Sequence, residues 1–308
     1  MVRHRDELGR HLSLGMLRLK LPLLALLVAM RAGAQDHTMT LAGREVAVWV
    51  GKRNGTGAAP VLFFSHGFGG CQTNSSFLKR ALAARGYWVF APRHADAWCG
   101  SPSDARPAVP FGLPGEWTDA TYVDRANDIL AVYGALKAMP AYAKRLDFSR
   151  VGFVGHSLGG YTVVGLAGGW SAWGKAPGVR AVLALSPYIE PFVERGTLAR
   201  LKVPIMFQGG TADSGITPNV TRRGGGYDSA PLPKYLVVFT GAAHNAWGDR
   251  TRQSHDDIVA YSIAFLDRYV RDLPAAAALT AAMPGVAWLK FDTTHAGAAM
   301  VRPGSLRR

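Results

Sequence analysis

Apolar residues along this chain fall into short unbroken runs, separated by stretches in which they recur every three or four positions. The runs Val46–Val50, Val61–Ser65, Trp88–Ala91, Val151–Val154, Val182–Ser186, Ile205–Gln208 and Tyr235–Thr240 predict β-strands. Several are continuous rather than alternating, the pattern of strands covered on both faces. Between them, helical spacing runs over Ser75–Arg85, Asp119–Met139, Leu158–Gly168 and Asp256–Arg271. In the second of these, Ile129, Val132 and Leu136 form one stripe that a sheet would cover. Strand–helix alternation of this kind predicts an α/β domain with a mainly parallel central sheet and helices on both faces. Two connections are long, residues 95–118 and 214–234, and loops of that length are expected to carry function or motion.

The ends of the chain read differently from its middle. Leu21–Met30 is apolar, preceded by Arg18 and Lys20 and followed by Ala32-Gly33-Ala34. A basic segment, a short apolar segment and an A-x-A site predict a secretory signal peptide over residues 1–34, and ten apolar residues are too few to span a bilayer. Residues 1–15 are long and mixed in charge for such a leader, so Met16 is an alternative start; either way the exported protein is expected to begin at Gln35. The α/β domain is then expected over residues 35–273. The segment 274–308 begins alanine-rich and ends basic; Val286–Phe291 is expected as an extra strand or packed extension, with the last residues disordered.

The 308 residues are 48% hydrophobic and 18% charged, enough for one sizeable core. The formal net charge is +14; residues 1–34 hold six Lys/Arg and two Asp/Glu, so +10 remains without them. That balance suits a polyanionic envelope or simple solubility. It does not point to nucleic acid, because no dense basic run or nucleic-acid-binding motif accompanies it. Cys71 and Cys99 are the only cysteines. After export they are expected either to form a disulfide between two loops at one end of the sheet or to remain free thiols, and no spacing suggests metal ligation.

Chemistry concentrates at Gly155-His156-Ser157-Leu158-Gly159-Gly160, entered from Val151–Val154. G-x-S-x-G at a strand-to-helix turn holds a serine in strained backbone geometry, with glycines where a Cβ would collide with neighbouring chain. A serine nucleophile needs a base, and a carboxylate to orient it. His244 follows the Tyr235–Thr240 run through Gly241-Ala-Ala, which puts it at the strand end beside the serine. His94 is a weaker competitor. His66 belongs to a glycine-rich loop, His156 is expected beneath the turn, and His255 and His295 lie in helical and tail contexts. Asp213 follows the Val203–Gln208 segment through Gly209-Gly210-Thr211-Ala212; Asp249 is the fallback, and a solvated or helix-capping Asp213 the alternative. The order Ser157, Asp213, His244 is that of the α/β-hydrolases. Oxyanion donors are expected from the backbone N–H groups of Leu158 and of Phe68, the latter in His66-Gly67-Phe68-Gly69-Gly70.

With these motifs the chain resembles a serine α/β-hydrolase of the dienelactone-hydrolase-like group, and is similar to acetylhydrolases and cutinase-like polyesterases. The resemblance covers residues from about 45 to 271 and rests on Ser65–Gly70, Gly155–Gly160, Gly209–Asp213 and Gly241–His244. It implies an α/β-hydrolase fold and hydrolysis through an acyl-enzyme, with no metal or organic cofactor. True dienelactone hydrolases use a cysteine where this chain has Ser157, which favours a general carboxylic-ester hydrolase over a lactonase. Aromatic residues expected near the site are Phe68, Trp98, Trp117, Tyr161, Tyr188 and Trp247, as a substrate cleft or as core. No large helical lid is evident, so short or aromatic esters are favoured, with polyesters, amides and peptides as alternatives and a non-catalytic binding role as the remaining one. A monomer acting on a small or polymeric ester is expected.

Overall fold

Ten strands build one sheet in the computed structural model, which describes residues 35–52, 57–101, 106–294 and 299–303. The expected leader and its alternative start at Met16 lie outside the described residues, as do His295 and the last five residues. The strands are β1 (His37–Leu41), β2 (Arg44–Trp49), β3 (Ala59–Ser65), β4 (Trp88–Pro92), β5 (Leu146–His156), β6 (Val179–Leu185), β7 (Ile205–Gly210), β8 (Lys234–Phe239), β9 (Val286–Asp292) and β10 (Ala299–Val301). Their order across the sheet is β1-β2-β4-β3-β5-β6-β7-β8-β9-β10.

The sheet is mixed, which refines the mainly parallel expectation. Pairings from β4 through β8 are parallel, whereas β1–β2, β2–β4, β8–β9 and β9–β10 are antiparallel. The Val286–Phe291 segment is a strand of this sheet, paired with β8. β1 was not anticipated: His37-Thr-Met-Thr-Leu41 is polar, mostly exposed, and joins β2 through Ala42 and Gly43, both at positive φ (49° and 76°). That is the two-residue hairpin geometry, reached here without the Asn-Gly or Asp-Gly pair that announces it in a sequence.

Among the described residues eight helices accompany the sheet: α1 (Ser76–Ala84), α2 (Val123–Ala138), α3 (Pro140–Ala143), α4 (Leu158–Val164), α5 (Glu190–Glu194), α6 (Thr217–Thr221), α7 (Gly226–Ser229) and α8 (His255–Tyr269). Unbroken apolar strands explain why both faces are covered. In β3, Val61 and Phe63 join one buried cluster with Ile129, Val132 and Leu136 of α2 and Leu158 of α4. Leu62 and Phe64 join the other, with Leu78 and Leu82 of α1 and Ile258 and Phe265 of α8. Burying each of these phenylalanines stabilises the fold by roughly 1.5–3 kcal/mol relative to exposure. Because β5, β6, β7 and β8 run parallel, the residues that follow them gather at one edge. Those residues include Ser157, Ser186, Asp213 and His244.

Candidate active site

Ser157 sits between β5 and α4 with φ 54° and ψ −119°, a strained conformation for a residue with a side chain. The flanking glycines are required sterically. A Cβ on Gly155 would lie 2.1 Å from the Gly159 carbonyl oxygen, and one on Gly159 would lie 2.0 Å from the Ser65 carbonyl oxygen. The turn is fastened on both sides: Ser157 N–H donates to Leu185 O at 3.0 Å, and Ser157 O accepts from Gly160 N–H at 2.9 Å and Tyr188 N–H at 3.1 Å.

The serine meets the expected partners. His244 Nε2 lies 2.9 Å from Ser157 Oγ, and His244 Nδ1 lies 3.3 Å from Asp213 Oδ1. Asp249 is elsewhere, accepting from Ser76 Oγ and Phe77 N–H at the start of α1. His156 packs under the turn against Trp247, its Nε2 3.0 Å from His244 O, and burial followed by the neighbouring His244 lowers its pKa to about 3. His255 stacks on Phe77.

One member of the cluster has no sequence signature. Ser186, directly after β6 and at φ 41°, is fully buried; its Oγ is 2.7 Å from His244 Nδ1 and 2.6 Å from Asp213 Oδ2. A carboxylate only accepts. The hydroxyl therefore donates to Asp213 and accepts the Nδ1–H, closer to the imidazole than the carboxylate itself. Thr217, the first residue of α6, adds a bond to Asp213 Oδ2 at 2.9 Å. Burial alone would push the Asp213 carboxyl up, but the hydrogen bonds from His244, Ser186 and Thr217 and the charge of His244 outweigh it and hold it below its ordinary value.

The glycine-rich loop after β3 faces this cluster from the other side. Gly67 O accepts from His66 Nδ1–H at 2.8 Å, Gly70 N–H at 3.0 Å and Arg125 Nη2 at 3.4 Å. Arg125 Nη2 also donates to His66 O at 2.6 Å. In a trans peptide the carbonyl and the next N–H point opposite ways, so fixing Gly67 O inward turns Phe68 N–H outward. Leu158 opens α4, where the first N–H groups have no acceptor within the helix. Cys71 and Cys99 form a disulfide that fastens this loop to the one after β4, and Trp98 N–H donates to Gly70 O at 3.1 Å.

Beneath the loop lies a second serine–histidine–aspartate array. Ser65 Oγ is 2.9 Å from His94 Nε2, and His94 Nδ1 is 2.9 Å from Asp128 Oδ2, with Arg44 Nε on the other Asp128 oxygen at 2.9 Å. His94 thus belongs to this array and not to the Ser157 cluster. Burial, followed by the charge of Arg125, lowers the pKa values of His66 and His94 well below the usual value. Arg125 is buried too, its Nε 3.0 Å from Asp96 Oδ1.

A cavity of about 640 Å3 opens over Ser157, His244 and Asp213, with Phe68, Phe111, Tyr188 and Ile216 in its wall. Of the aromatic residues expected there, Phe68 and Tyr188 line it. Trp98 instead packs edge-on against Phe68. Tyr161 is buried in the core, bonded to Thr121 O and Trp170, and Trp117 packs on it. Trp247 is buried with its indole N–H on Gln208 Oε1. Large aromatic residues are as useful for packing as for binding, so composition alone does not separate the two. Phe111 and Ile216 come from the two long loops and carried no signal of their own. Among the described residues no cluster of His, Cys, Asp or Glu is grouped as metal ligands, and no helix is long and apolar enough to cross a membrane. No family model matches the chain.

Proposed function

We propose that this chain is a serine carboxylic-ester hydrolase with an α/β-hydrolase fold. The observation that carries the reading is Ser157 itself, strained at a strand-to-helix turn, 2.9 Å from His244 Nε2 and open to a cavity. In this reading Oγ attacks the ester carbonyl as Nε2 takes its proton. The alcohol leaves with that proton, and water activated by the same nitrogen releases the acid. Phe68 and Leu158 N–H groups hold the oxyanion, where one such donor is typically worth about 3–4 kcal/mol. Asp213 stays ionised, supported by its lowered pKa, and Ser186 helps to orient the imidazole.

The cavity lining of Phe68, Phe111, Tyr188 and Ile216 carries no lysine or arginine, which suits a neutral apolar or aromatic acyl group. Export fits the Cys71–Cys99 disulfide, a bond of oxidising compartments.

The test is a fluorophosphonate probe followed by a panel of p-nitrophenyl esters from acetate to palmitate. The expected result is a single labelled serine, Ser157, and turnover that falls as the acyl chain lengthens. Labelling elsewhere, or turnover of anilides with none of esters, overturns the ester reading; turnover of polyester films extends it.

A further inference from the structure

A second cavity, of about 440 Å3, lies at the opposite end of the sheet from Ser157. Val179 opens β6 and Val203 leads into β7, so this cavity adjoins strand beginnings, whereas Ser157, Ser186 and Asp213 follow strand ends. Part of its wall is the turn Gly165–Gly169, which continues α4 as a π-helix and holds Gly168 at φ 129°. Such turns widen a helix and recur at functional sites. Trp170 and Trp173 supply indole walls that are already fixed. The Trp170 N–H donates to Tyr161 Oη at 2.8 Å and the Trp173 N–H to the Asp119 carbonyl.

Three cations share this lining, Lys175, Arg200 and Lys202, and no acidic side chain does. Among the described residues none of the three makes a side-chain hydrogen bond or ion pair. They come from two separate loops, one between α4 and β6 and one between α5 and β7, converging on the same apolar hollow. A preformed apolar cavity with unneutralised positive charge on its wall is complementary to a ligand that is apolar at one end and anionic at the other.

We propose that this cavity binds an amphipathic monocarboxylic acid, its apolar body against the two indoles and its carboxylate among Lys175, Arg200 and Lys202. Guanidinium matches a carboxylate with two parallel hydrogen bonds, and the lysines add point charge. At about 30 Å3 per water-sized group the volume holds on the order of a dozen non-hydrogen atoms, the size of decanoate. The cleft over Ser157 is lined without lysine or arginine, so the two cavities divide ligands by charge. The inference stands whether or not Ser157 is a nucleophile.

The experiment titrates the full chain with decanoate and with decanol, followed by calorimetry and tryptophan fluorescence. The same titrations are run on the combined variant Lys175→Glu, Arg200→Glu and Lys202→Glu, all at exposed positions. Decanoate is expected to bind saturably, at least tenfold more tightly than decanol, and to weaken at high salt. The variant is expected to lose at least tenfold in decanoate affinity while keeping its far-ultraviolet circular dichroism. Replacing Trp173 with Phe should shrink the fluorescence response. Absence of saturable binding, equal affinity for the alcohol, or full affinity in a folded triple variant each overturns the proposal. So does binding to phosphatidylglycerol vesicles without binding to decanoate, which would make the patch a lipid surface contact.

Discussion

Two serine–histidine–aspartate arrays stand in one molecule, and the one with the tighter histidine–carboxylate contact is the one without access. Ser65–His94–Asp128 closes with 2.9 Å at both contacts. Ser157–His244–Asp213 has 2.9 Å at the serine but 3.3 Å at the carboxylate. Ser65 is the last residue of β3 and is fully buried. Ser157 breaks the strand pattern, heads α4 and borders a cavity. Distances among three side chains are therefore shared by a proposed active site and a packing device. What differs is room for a carbonyl and donors for the charge it develops. The buried array acts on the frame instead, tying the ends of β3 and β4 to α2 directly under the loop that presents Phe68.

The sharpest way to break this comparison is to delete each hydroxyl in turn. Ser157→Ala is expected to lower p-nitrophenyl ester turnover by on the order of 10,000-fold or more, with an unchanged melting temperature. Ser65→Ala is expected to leave turnover within about tenfold and to lower the melting temperature by a few degrees, because His94 Nε2 loses its buried donor. A folded Ser65→Ala protein as inactive as Ser157→Ala would reverse the assignment.

Arg125 links the two regions, so its loss should register in both stability and rate. Arg125→Met leaves Asp96 without its cation and Gly67 O without one donor, and is expected to cost about 3–5 kcal/mol in urea unfolding. In protein that remains folded, kcat should fall more than KM rises, because the loosened Phe68 N–H is a proposed oxyanion donor. A change confined to KM would mean that Arg125 shapes substrate binding and not the proposed oxyanion donor.

Protonation separates the arrays next. His66 and His94 have pKa values lowered by burial, so between those values and the unfolded value near 6.5 the unfolded chain binds more protons. Their neutral burial is fully tolerated above about pH 6.5 and is penalised as pH falls below it, by up to about 1.4 kcal/mol per pH unit for each histidine. Asp213, lowered in the folded state, contributes stability above the usual carboxylate range that is lost only in stronger acid. Melting temperatures from pH 7.5 to 5 should therefore decline, and less steeply in a folded His94→Gln protein. Equal slopes would mean that His94 titrates alike in the folded and unfolded chains, so that its burial does not hold it neutral.

How much of this was legible follows from what kind of pattern each part leaves. The seven strands expected from apolar runs all appear, because a strand buried on both faces must be continuously apolar. β1 escaped because an edge hairpin with exposed polar residues leaves no such run. Within the site, Ser157, His244 and Asp213 could be read because each follows a recognisable strand and the strands are parallel. Ser186 could not: a serine ending an apolar run reads as the strand's last residue, and its role depends on a 41° φ that no local motif encodes. The buried array was hidden for a related reason, since Ser65, His94 and Asp128 meet only through the crossing of β3, β4 and α2. Trp98, Tyr161 and Trp247 read equally as cleft or as core, and packing decides. Trp98 lies against Phe68, Tyr161 joins the cluster with Trp117 and Trp170, and Trp247 is buried on the other face of the sheet with Phe239 and Gln208.

Ser186 gives the smallest and most discriminating test. Its hydroxyl stands 2.7 Å from His244 Nδ1, nearer than Asp213 at 3.3 Å, so the imidazole is oriented jointly by a neutral and a charged acceptor. Removing that hydroxyl leaves the longer contact alone, and a hydrogen bond in this setting is worth about 1–2 kcal/mol. Ser186→Ala is thus expected to lower kcat by about tenfold with little change in KM. Ser186→Gly should lose the same rate but be more stable than the alanine variant by about 1 kcal/mol, because a positive φ suits glycine and strains alanine. Equal kcat in both variants with unequal melting temperatures separates hydroxyl chemistry from backbone strain. Wild-type kcat in both would mean that Asp213 closes on Nδ1 unaided. The proposed site would then match the buried array contact for contact, leaving access and oxyanion donors as the whole of the difference between them.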